Sequence, residues 1–580
     1  MSTKIFTWKI GGDAGQGQQV AGLILAKVCA AAGFHSFVYS DYPSLLRGGL
    51  VTNQVSISKE SVEAAYRQID LYFALSQEAL DNIIVDNKNY LSVGASIFYD
   101  ENKVSKPSKK IRSVNFYPLD INGLLRQAGL EKFAANSLIL GLTFSLLNGD
   151  LALLNKEIRK SFSGKGNDIV NQNKKAVKIG FNYAKNLNLS NCLYDLKSSG
   201  KNGKYRLLTG NEGAALGAVA AGCNFYSAYP MTPATSILHN LAKWASKVGM
   251  IVKHTEDEIS AINMAVGASW AGARAMTGTS GGGFALMTEG LSLTGMTETP
   301  LVIIDAQRPG PATGLPTWTG QEDLQFLSKA GHGEFLRVIL APSSAEEAFY
   351  FTQIAFNLAD VYQIPVFILL DKYLSESYQT TLLDLSNSKI DRGAILTESQ
   401  LAKIDDYRRY VLNCDGGVSP RSLLGQKNGI FVANSDEHEE HGYSIEGFNP
   451  EMRDNQVKKR FAKLNNLLSD LSKPELIGPK KAELTLVGWG SVKGVVVEAL
   501  KTVNQKKNKA NYLHLSTPYP LDSKLLTQML KNRNVVVVEN NYTGQLANLL
   551  QESLGQKFDK RLNKYNGHQF YPEEILDFLK

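Results

Sequence analysis

Short apolar runs alternate with longer helical segments over most of this chain. A strand-like run at residues 5–10 leads into a glycine-rich turn, an apolar helix over 20–32 and a second strand-like run at 37–39. Strand alternating with helix predicts α/β architecture with a parallel sheet. Further β/α pairs follow, ending in a Lys/Asn/Ser-rich stretch near residue 190. Residues 191–206 read as a linker, because serine, glycine and lysine dominate and few apolar side chains could anchor it. The alternation resumes over 207–380, with an Ala/Gly-rich helix at 214–221 able to pack closely on a sheet and strand-like runs at 224–229, 273–277, 301–305 and 365–370. Residues 381–478 show no clear period. They hold polar loops, including Ser435-Asp-Glu-His-Glu-Glu-His-Gly442, and then a charged helix near 451–470. The last zone, 479–580, predicts a compact α/β unit. Its strand at 484–487 ends at Gly488-Trp-Gly-Ser491, and the all-valine run 535–538 suits a strand buried on both faces. The pattern therefore predicts a multidomain α/β protein divided at 1–190, 191–206, 207–380, 381–478 and 479–580.

Composition narrows the class. With 43% hydrophobic and 20% charged residues, ordinary soluble cores are expected. No window approaches the roughly 18 unbroken apolar residues of a membrane helix. The first ten residues run straight into a strand-like segment, without the apolar core and small-residue cleavage site of a secretory signal. A cytoplasmic protein, with no membrane partner, is the expectation. The net charge of +7 is scattered. Lys109-Lys110 with Arg112, and Lys458-Lys459-Arg460, read as solvated faces or as steering sites for an acidic partner. No nucleic-acid module is recognisable. The four cysteines, Cys29, Cys192, Cys223 and Cys414, include no C-x-x-C pair and fit no zinc or iron–sulfur spacing. The chain is therefore expected to carry no metal cluster.

Ligands in open α/β sheets sit at the carboxyl ends of strands, and unusual loops follow the strand-like runs of 207–380. In Tyr229-Pro-Met-Thr-Pro233 two prolines stiffen the turn and remove two donors. That loop either presents the Thr232 hydroxyl in one place or is only a rigid turn. His254-Thr-Glu-Asp-Glu258 opens a helix, and Thr255 with Glu258 has the T-x-x-E spacing of a capping box. Glu258 is then a reciprocal cap, or a carboxylate that exchanges a proton with a ligand nitrogen. His254 is a possible ligand or simply a hydrogen-bonded strand-end histidine. Arg308-Pro-Gly-Pro-Ala-Thr-Gly-Leu-Pro-Thr317 offers the planar guanidinium fork of Arg308 to a carboxylate, bound or neighbouring. The three consecutive glycines of Thr277-Gly-Thr-Ser-Gly-Gly-Gly-Phe284 let backbone amides approach a ligand or another chain, or make a tight turn. In the first zone, Gly11-Gly-Asp-Ala-Gly-Gln-Gly17 joins strand to helix in the order G-x-x-G-x-G. This is not the dinucleotide fingerprint, but such a helix start can cradle phosphate, with Arg47-Gly-Gly49 as a further anion contact.

Taken together, Tyr229–Pro233, Glu256-Asp-Glu-Ile-Ser-Ala-Ile-Asn-Met-Ala-Val-Gly-Ala268, Gly278–Phe284, Met287-Thr-Glu289, Gly295-Met-Thr-Glu-Thr-Pro300 and Gln307–Thr317 resemble, in order, the motifs of 2-oxoacid:ferredoxin oxidoreductases. The resemblance covers nearly the whole chain. It makes 1–190 similar to the γ domain fused ahead of an α subunit, 207–380 to the pyrimidine-type thiamine diphosphate domain, and 479–580 to the transketolase C-terminal-like domain. Val418-Ser-Pro-Arg421, the His438/His441 loop and Glu539-Asn-Asn-Tyr-Thr-Gly-Gln-Leu546 also resemble family segments. Met231 and Gly282 depart from the usual isoleucine and proline without removing a functional group.

The resemblance implies coenzyme A-dependent oxidative decarboxylation of a 2-oxoacid to acyl-CoA and carbon dioxide, with ferredoxin as electron acceptor. It implies thiamine diphosphate shared with a separate β subunit that carries Mg2+ and a [4Fe-4S] cluster. Glu258 is implied to hydrogen-bond the aminopyrimidine ring and favour its imino tautomer, with Pro230, Thr279 and Gly281 also against the cofactor. Thr232, Arg308, Thr317 and Tyr229 are implied in substrate binding, with Thr232 and Arg308 counted as catalytic alongside Glu258. Gly15, Gly17 and Arg47 are implied as coenzyme A or phosphate contacts, and no metal ligand is expected on this chain. An indolepyruvate-type relative, a non-catalytic nucleotide- or coenzyme A-binding scaffold, and a nicotinamide dehydrogenase resting only on the first glycines are the alternatives. The preferred 2-oxoacid is left open, because pyruvate-like and 2-oxoglutarate-like substrates share the same carboxylate and ketone.

Overall fold

The computed structural model describes residues 5–44, 49–86, 88–105, 111, 113–187, 193–197, 205–386, 388–445, 449–504 and 509–580. Arg47, Cys192, the Lys109-Lys110/Arg112 run and most of the expected linker lie outside these residues. The chain divides into two compact units: Met1–Thr209 with Glu376–Leu383 and Tyr571–Lys580, and Gly210–Ser375 with Asp384–Phe570. Among the described residues, no helix is long and apolar enough to cross a membrane.

The first unit is built on an eight-stranded sheet. On one side, β1 (Phe6–Asp13), β4 (Ile69–Ala74), β5 (Leu91–Asp100) and β6 (Asn115–Leu119) run parallel. On the other, β3 (Leu50–Ser58), β2 (His35–Asp41), β14 (Tyr378–Thr381) and β7 (Arg206–Leu208) pair antiparallel in that order outward from β1. The sheet is therefore mixed, where β/α alternation predicts a parallel one. Residues 42–49 alone join β2 to β3, and a parallel return needs a crossover of about a dozen residues or more. The unit also takes up β14 and the helix Pro572–Leu579, which the sequence pattern gives to later domains.

Its core gathers Phe6, Trp8 and Ile10 of β1 with Ala21, Leu25 and Ala26 of the helix Gln18–Ala31. The Trp8 indole donates to Thr143 Oγ1 at 3.1 Å, so even the buried polar edge of the ring is satisfied. Helices Ala135–Leu146 and Asn167–Asn186 meet at Gly141 and Gly180. A side chain at either glycine would strike a carbonyl oxygen of the facing helix, that of Val177 or Leu138.

The second unit holds two sheets. The larger is parallel throughout, in the order β12 (Val338–Leu340), β13 (Pro365–Asp371), β11 (Leu301–Gln307), β10 (Ala275–Thr279), β8 (Phe225–Ala228), β9 (Ile251–His254). The chain leaves β8 for β9 on one flank and β10 for β11 on the other. The direction of winding thus reverses between β8 and β10, and this crevice is where such sheets bind ligands. The smaller sheet runs β15 (Glu475–Ile477), β17 (Ala510–His514), β16 (Leu484–Gly488), β18 (Val535–Glu539), β19 (Arg561–Asn563), antiparallel only at β15.

The aperiodic segment before the last sheet is tied down by charge. Glu298 accepts from Lys459 Nζ and Lys463 Nζ, both at 2.6 Å, and all three side chains are buried. Arg460 forms a bidentate pair with Glu437. Lys459 and Arg460 are therefore interior ion-pair partners, not the solvated face expected of the Lys458–Arg460 run; Lys458 alone stays exposed. Burial and the two lysines act on Glu298 in opposite directions, and the lysines hold its carboxyl well below the usual range. Removing one partner of a buried pair costs about 3–5 kcal/mol. Glu298→Gln is accordingly expected to lower the Tm sharply, read by calorimetry, whereas Lys458→Gln is expected to leave it unchanged.

Candidate active site

Four consecutive strands of the parallel sheet, in the order β11, β10, β8, β9, deliver their carboxyl ends to one place. Each is followed by one of the loops singled out in the sequence. The Tyr229–Pro233 turn leaves β8, the helix Glu258–Trp270 follows β9, Ser280 and the glycine run follow β10, and Arg308 follows β11.

Contacts join these loops. Arg308 Nη1 donates to the Thr232 carbonyl at 2.8 Å, so the arginine grips the backbone of the proline-stiffened turn. The Thr279 hydroxyl lies 3.9 Å from Met231 Sδ. Gly283 packs so tightly that a Cβ there would collide with both Thr279 Oγ1 and Glu258 Oε1. Glu258, Thr279, Met231, Thr232 and Arg308 thus form one connected cluster. Tyr229 is exposed, with its ring centroid 6.3 Å from that of His254, which is exposed as well. Pro230 and Thr232 are half-buried, as is Thr317, whose Oγ1 is buried without a hydrogen-bond partner.

The capping-box reading of Glu258 does not hold. Asp257 is the N-cap: its Oδ1 accepts from the Ser260 backbone N–H at 2.7 Å, and Thr255 Oγ1 donates to the Asp257 carbonyl at 2.9 Å. An aspartate one residue before the helix meets the capping requirement as well as Thr255 does, and the structure uses it. Glu258 is released from capping. It is 4% exposed, yet its Oε1 has no partner. Burial, reinforced by the Asp257 charge, raises its pKa above the ordinary glutamate value. A buried carboxyl with an open oxygen and a tendency to hold its proton is equipped to exchange that proton with a nitrogen base.

Three residues that the sequence reading did not single out adjoin the site. Asp305 and Gln307 are buried and Asp323 is half-buried, and each has at least one buried polar atom without a partner. An acid closing the otherwise apolar run Leu301–Ile304 is the signal that could have marked Asp305. Gln321 fixes the far end of the Arg308 loop. It donates to the Trp489 carbonyl at 3.2 Å, and it accepts from Asn540 N at 3.1 Å, tying the loop to the Gly488–Ser491 and Glu539–Asn541 motifs.

These residues fit the pyrimidine end of thiamine diphosphate. A ring nitrogen needs a carboxyl partner in a dry setting, which the orphaned Glu258 Oε1 provides, and a flat ring needs the close backbone approach that the glycine run gives.

Comparison with known proteins defines the class. Residues 216–457 match the family model described as "Pyruvate flavodoxin/ferredoxin oxidoreductase, thiamine diP-bdg", and residues 7–183 match "Pyruvate ferredoxin/flavodoxin oxidoreductase". The chain is 30% identical to the 2-oxoacid:ferredoxin oxidoreductase subunit alpha of a Sulfolobus species, over 99% of this chain and 96% of that one. It is 34% identical to the 2-oxoglutarate synthase subunit KorA of Methanocaldococcus jannaschii, over 64% of this chain and 98% of the relative. The solved 2-oxoglutarate:ferredoxin oxidoreductase of Magnetococcus marinus, with 2-oxoglutarate, coenzyme A and succinyl-CoA bound, superposes with a TM-score of 0.93 over 99% of both chains at 28% identity. The fold is that of a thiamine-type α/β oxidoreductase. Within that class, the chain belongs to the family of 2-oxoacid:ferredoxin oxidoreductase alpha subunits.

Gly283 gives a direct check on the geometry. Gly283→Ala is expected to displace Glu258 and lower the Tm. Gly282→Ala, whose Cβ would meet nothing nearer than the Ala312 carbonyl at 3.7 Å, is expected to leave it unchanged.

Proposed function

We propose that this chain, paired with a β subunit, oxidatively decarboxylates a 2-oxoacid of the 2-oxoglutarate or pyruvate kind to acyl-CoA and carbon dioxide, with ferredoxin as the electron acceptor. The observation that carries the reading is the buried, unpartnered Glu258 Oε1 at the topological switch of a parallel sheet. Thiamine diphosphate, when bound, supplies the electron sink that lets carbon dioxide leave the substrate.

The residues of this chain then have distinct tasks. Glu258 hydrogen-bonds the pyrimidine ring nitrogen through Oε1 and holds or returns a proton there. Pro230, Thr279 and Gly281 shape the wall against the ring. Arg308 commits one N–H to Thr232 O, and the rest of its fork takes the substrate carboxylate. Thr232, Thr317 and Tyr229 complete the substrate side, and the partly buried setting of Arg308 strengthens its pull on charge.

Coenzyme A is assigned to the first unit. The turn before the helix Gln18–Ala31 has Gly15 and Gly17 at positive φ, and no side chain caps the helix start. It opens on a cavity of about 670 Å³ lined by both glycines, by Lys103, Lys132 and Lys165, and by apolar residues including Phe133 and Leu140. Free amides and three ammonium groups suit a diphosphate, and the apolar wall suits a pantetheine arm. Arg47, assigned from sequence, belongs to the same proposal.

Mg2+ and the [4Fe-4S] cluster are placed on the β subunit. Cys29 and Cys223 support this, as buried thiols that burial pushes up to about 12, far from the thiolates a cluster needs. The β subunit docks where large apolar side chains are exposed, Ile259 and Met264 on the helix that Glu258 opens and Leu286 on the helix after β10. The complex works in the cytoplasm.

Glu258→Gln is the test. Since Asp257 holds the helix cap, the variant is expected to fold and bind its partner as the wild type does. Its kcat is expected to fall by about 10²–10⁴-fold, measured with coenzyme A and a dye acceptor. Retained turnover would remove Glu258 from the chemistry.

A further inference from the structure

Two acids near the end of β11, the buried Asp305 and the half-buried Asp323, are left unused by the mechanism above. Asp305 is fully buried, and both of its carboxyl oxygens lack a partner. It stands opposite Thr279 in the β10–β11 register, so both side chains are on the face that carries the glycine run, and Gln307, two residues on, shares that face. Gln307 Oε1 accepts from the Asp323 backbone N–H at 3.0 Å, while its own amide nitrogen is buried and unpartnered. The Asp323 carboxyl packs directly on Gly281, where a Cβ would collide with it, and its Oδ2 is also orphaned. Asp323 is thus clamped between the end of β11 and the first residue of the helix Gly281–Met296.

The other polar groups around Asp323 are few. Glu322 precedes it and accepts from the Gly310 N–H at 2.9 Å. Arg308 is near enough to act on its charge without forming an ion pair with it, and Ser280, the residue after β10, has an unpartnered hydroxyl. The guanidinium that takes the substrate carboxylate therefore has a competing acid within its own walls.

We propose that Asp323, backed by Asp305, is a positioning residue that sets how strongly Arg308 holds the carboxylate of the 2-oxoacid. With the pair protonated, the positive charge of Arg308 is directed at the substrate. With Asp323 ionised, part of that charge is spent inside the protein, and substrate binding weakens. This rests on the reading of Arg308 given above and extends it to the pH response of the site. Burial, with Glu322 adding to it and Arg308 opposing it, pushes Asp323 up to about 7, and burial holds Asp305 well above the carboxylate range. The sign follows. Below about 7 the pair is neutral, and as pH rises Asp323 gains charge and KM increases.

The test is the pH profile of KM and kcat for the 2-oxoacid, measured on the complete enzyme with its partner chain. The wild-type KM is expected to rise about five- to tenfold through the neutral range, with kcat changing little. Asp323→Asn, isosteric and uncharged, is expected to hold KM at its low-pH value throughout. A variant that keeps the wild-type rise overturns the proposal, and so does one that loses kcat while the shape of the KM profile persists. Arg308→Met separates the two readings. It should raise KM at every pH, and if it does not, the assignment of Arg308 fails first. If Arg308→Met behaves so and Asp323→Asn still follows the wild type, only the role of the acid pair fails. Infrared titration of the wild-type complex needs no variant. A protonated-carboxyl band that fades near neutral pH supports the pair, and its absence at acidic pH overturns it.

Discussion

A carboxyl group that is buried and leaves one oxygen unpaired is costly, because desolvation is paid without a compensating hydrogen bond. Glu258 carries that cost at the one crevice of its sheet where the winding direction reverses. The surrounding structure is arranged to keep it there. Asp257 relieves it of capping, Gly283 leaves no room for a side chain between it and Thr279, and the dry setting holds its proton more firmly than water would.

The rest of the second unit supplies rigidity. Arg308 is fixed to the Thr232 carbonyl, the loop beyond it is pinned through Gln321 to motifs of the smaller sheet, and Glu298 anchors the aperiodic segment with two buried lysines. Ion pairs this buried add little net stability over an apolar core, but breaking one leaves an uncompensated buried charge, which opposes any rearrangement that separates the partners. A site built on loops needs such anchoring, since loops are otherwise the mobile part of an α/β fold. The first unit solves a different problem. Its glycine turn opens a helix start without a side-chain cap onto a lysine-lined cavity, the place proposed above for coenzyme A.

Much of this was legible in the sequence, for physical reasons. The unbroken apolar strands and the prolines and glycines at their ends located the loops, and family-like motifs named Glu258 and Arg308. What escaped depends on contacts distant in the chain. Thr255 and Asp257 were both competent caps, and only the backbone path chose Asp257. Lys459 and Arg460 looked like a solvated run because Glu298 and Glu437, their partners, lie far from them in sequence or in an irregular loop. β14 adds to the first sheet from beyond residue 370, and no local period reveals that. Asp305 and Asp323 carry no motif of their own; their interest comes from burial without a partner, which a sequence does not display.

The central claim is that Glu258 Oε1 is left open for a ring nitrogen of a cofactor held jointly with a second chain. The most direct measurement is an experimental structure of the complex of this chain and its β subunit with thiamine diphosphate bound. The Glu258 carboxyl is expected at hydrogen-bonding distance, about 2.6–3.2 Å, from a pyrimidine nitrogen, with the glycine run against the ring. A cofactor bound elsewhere, with Oε1 still unpartnered, would contradict it.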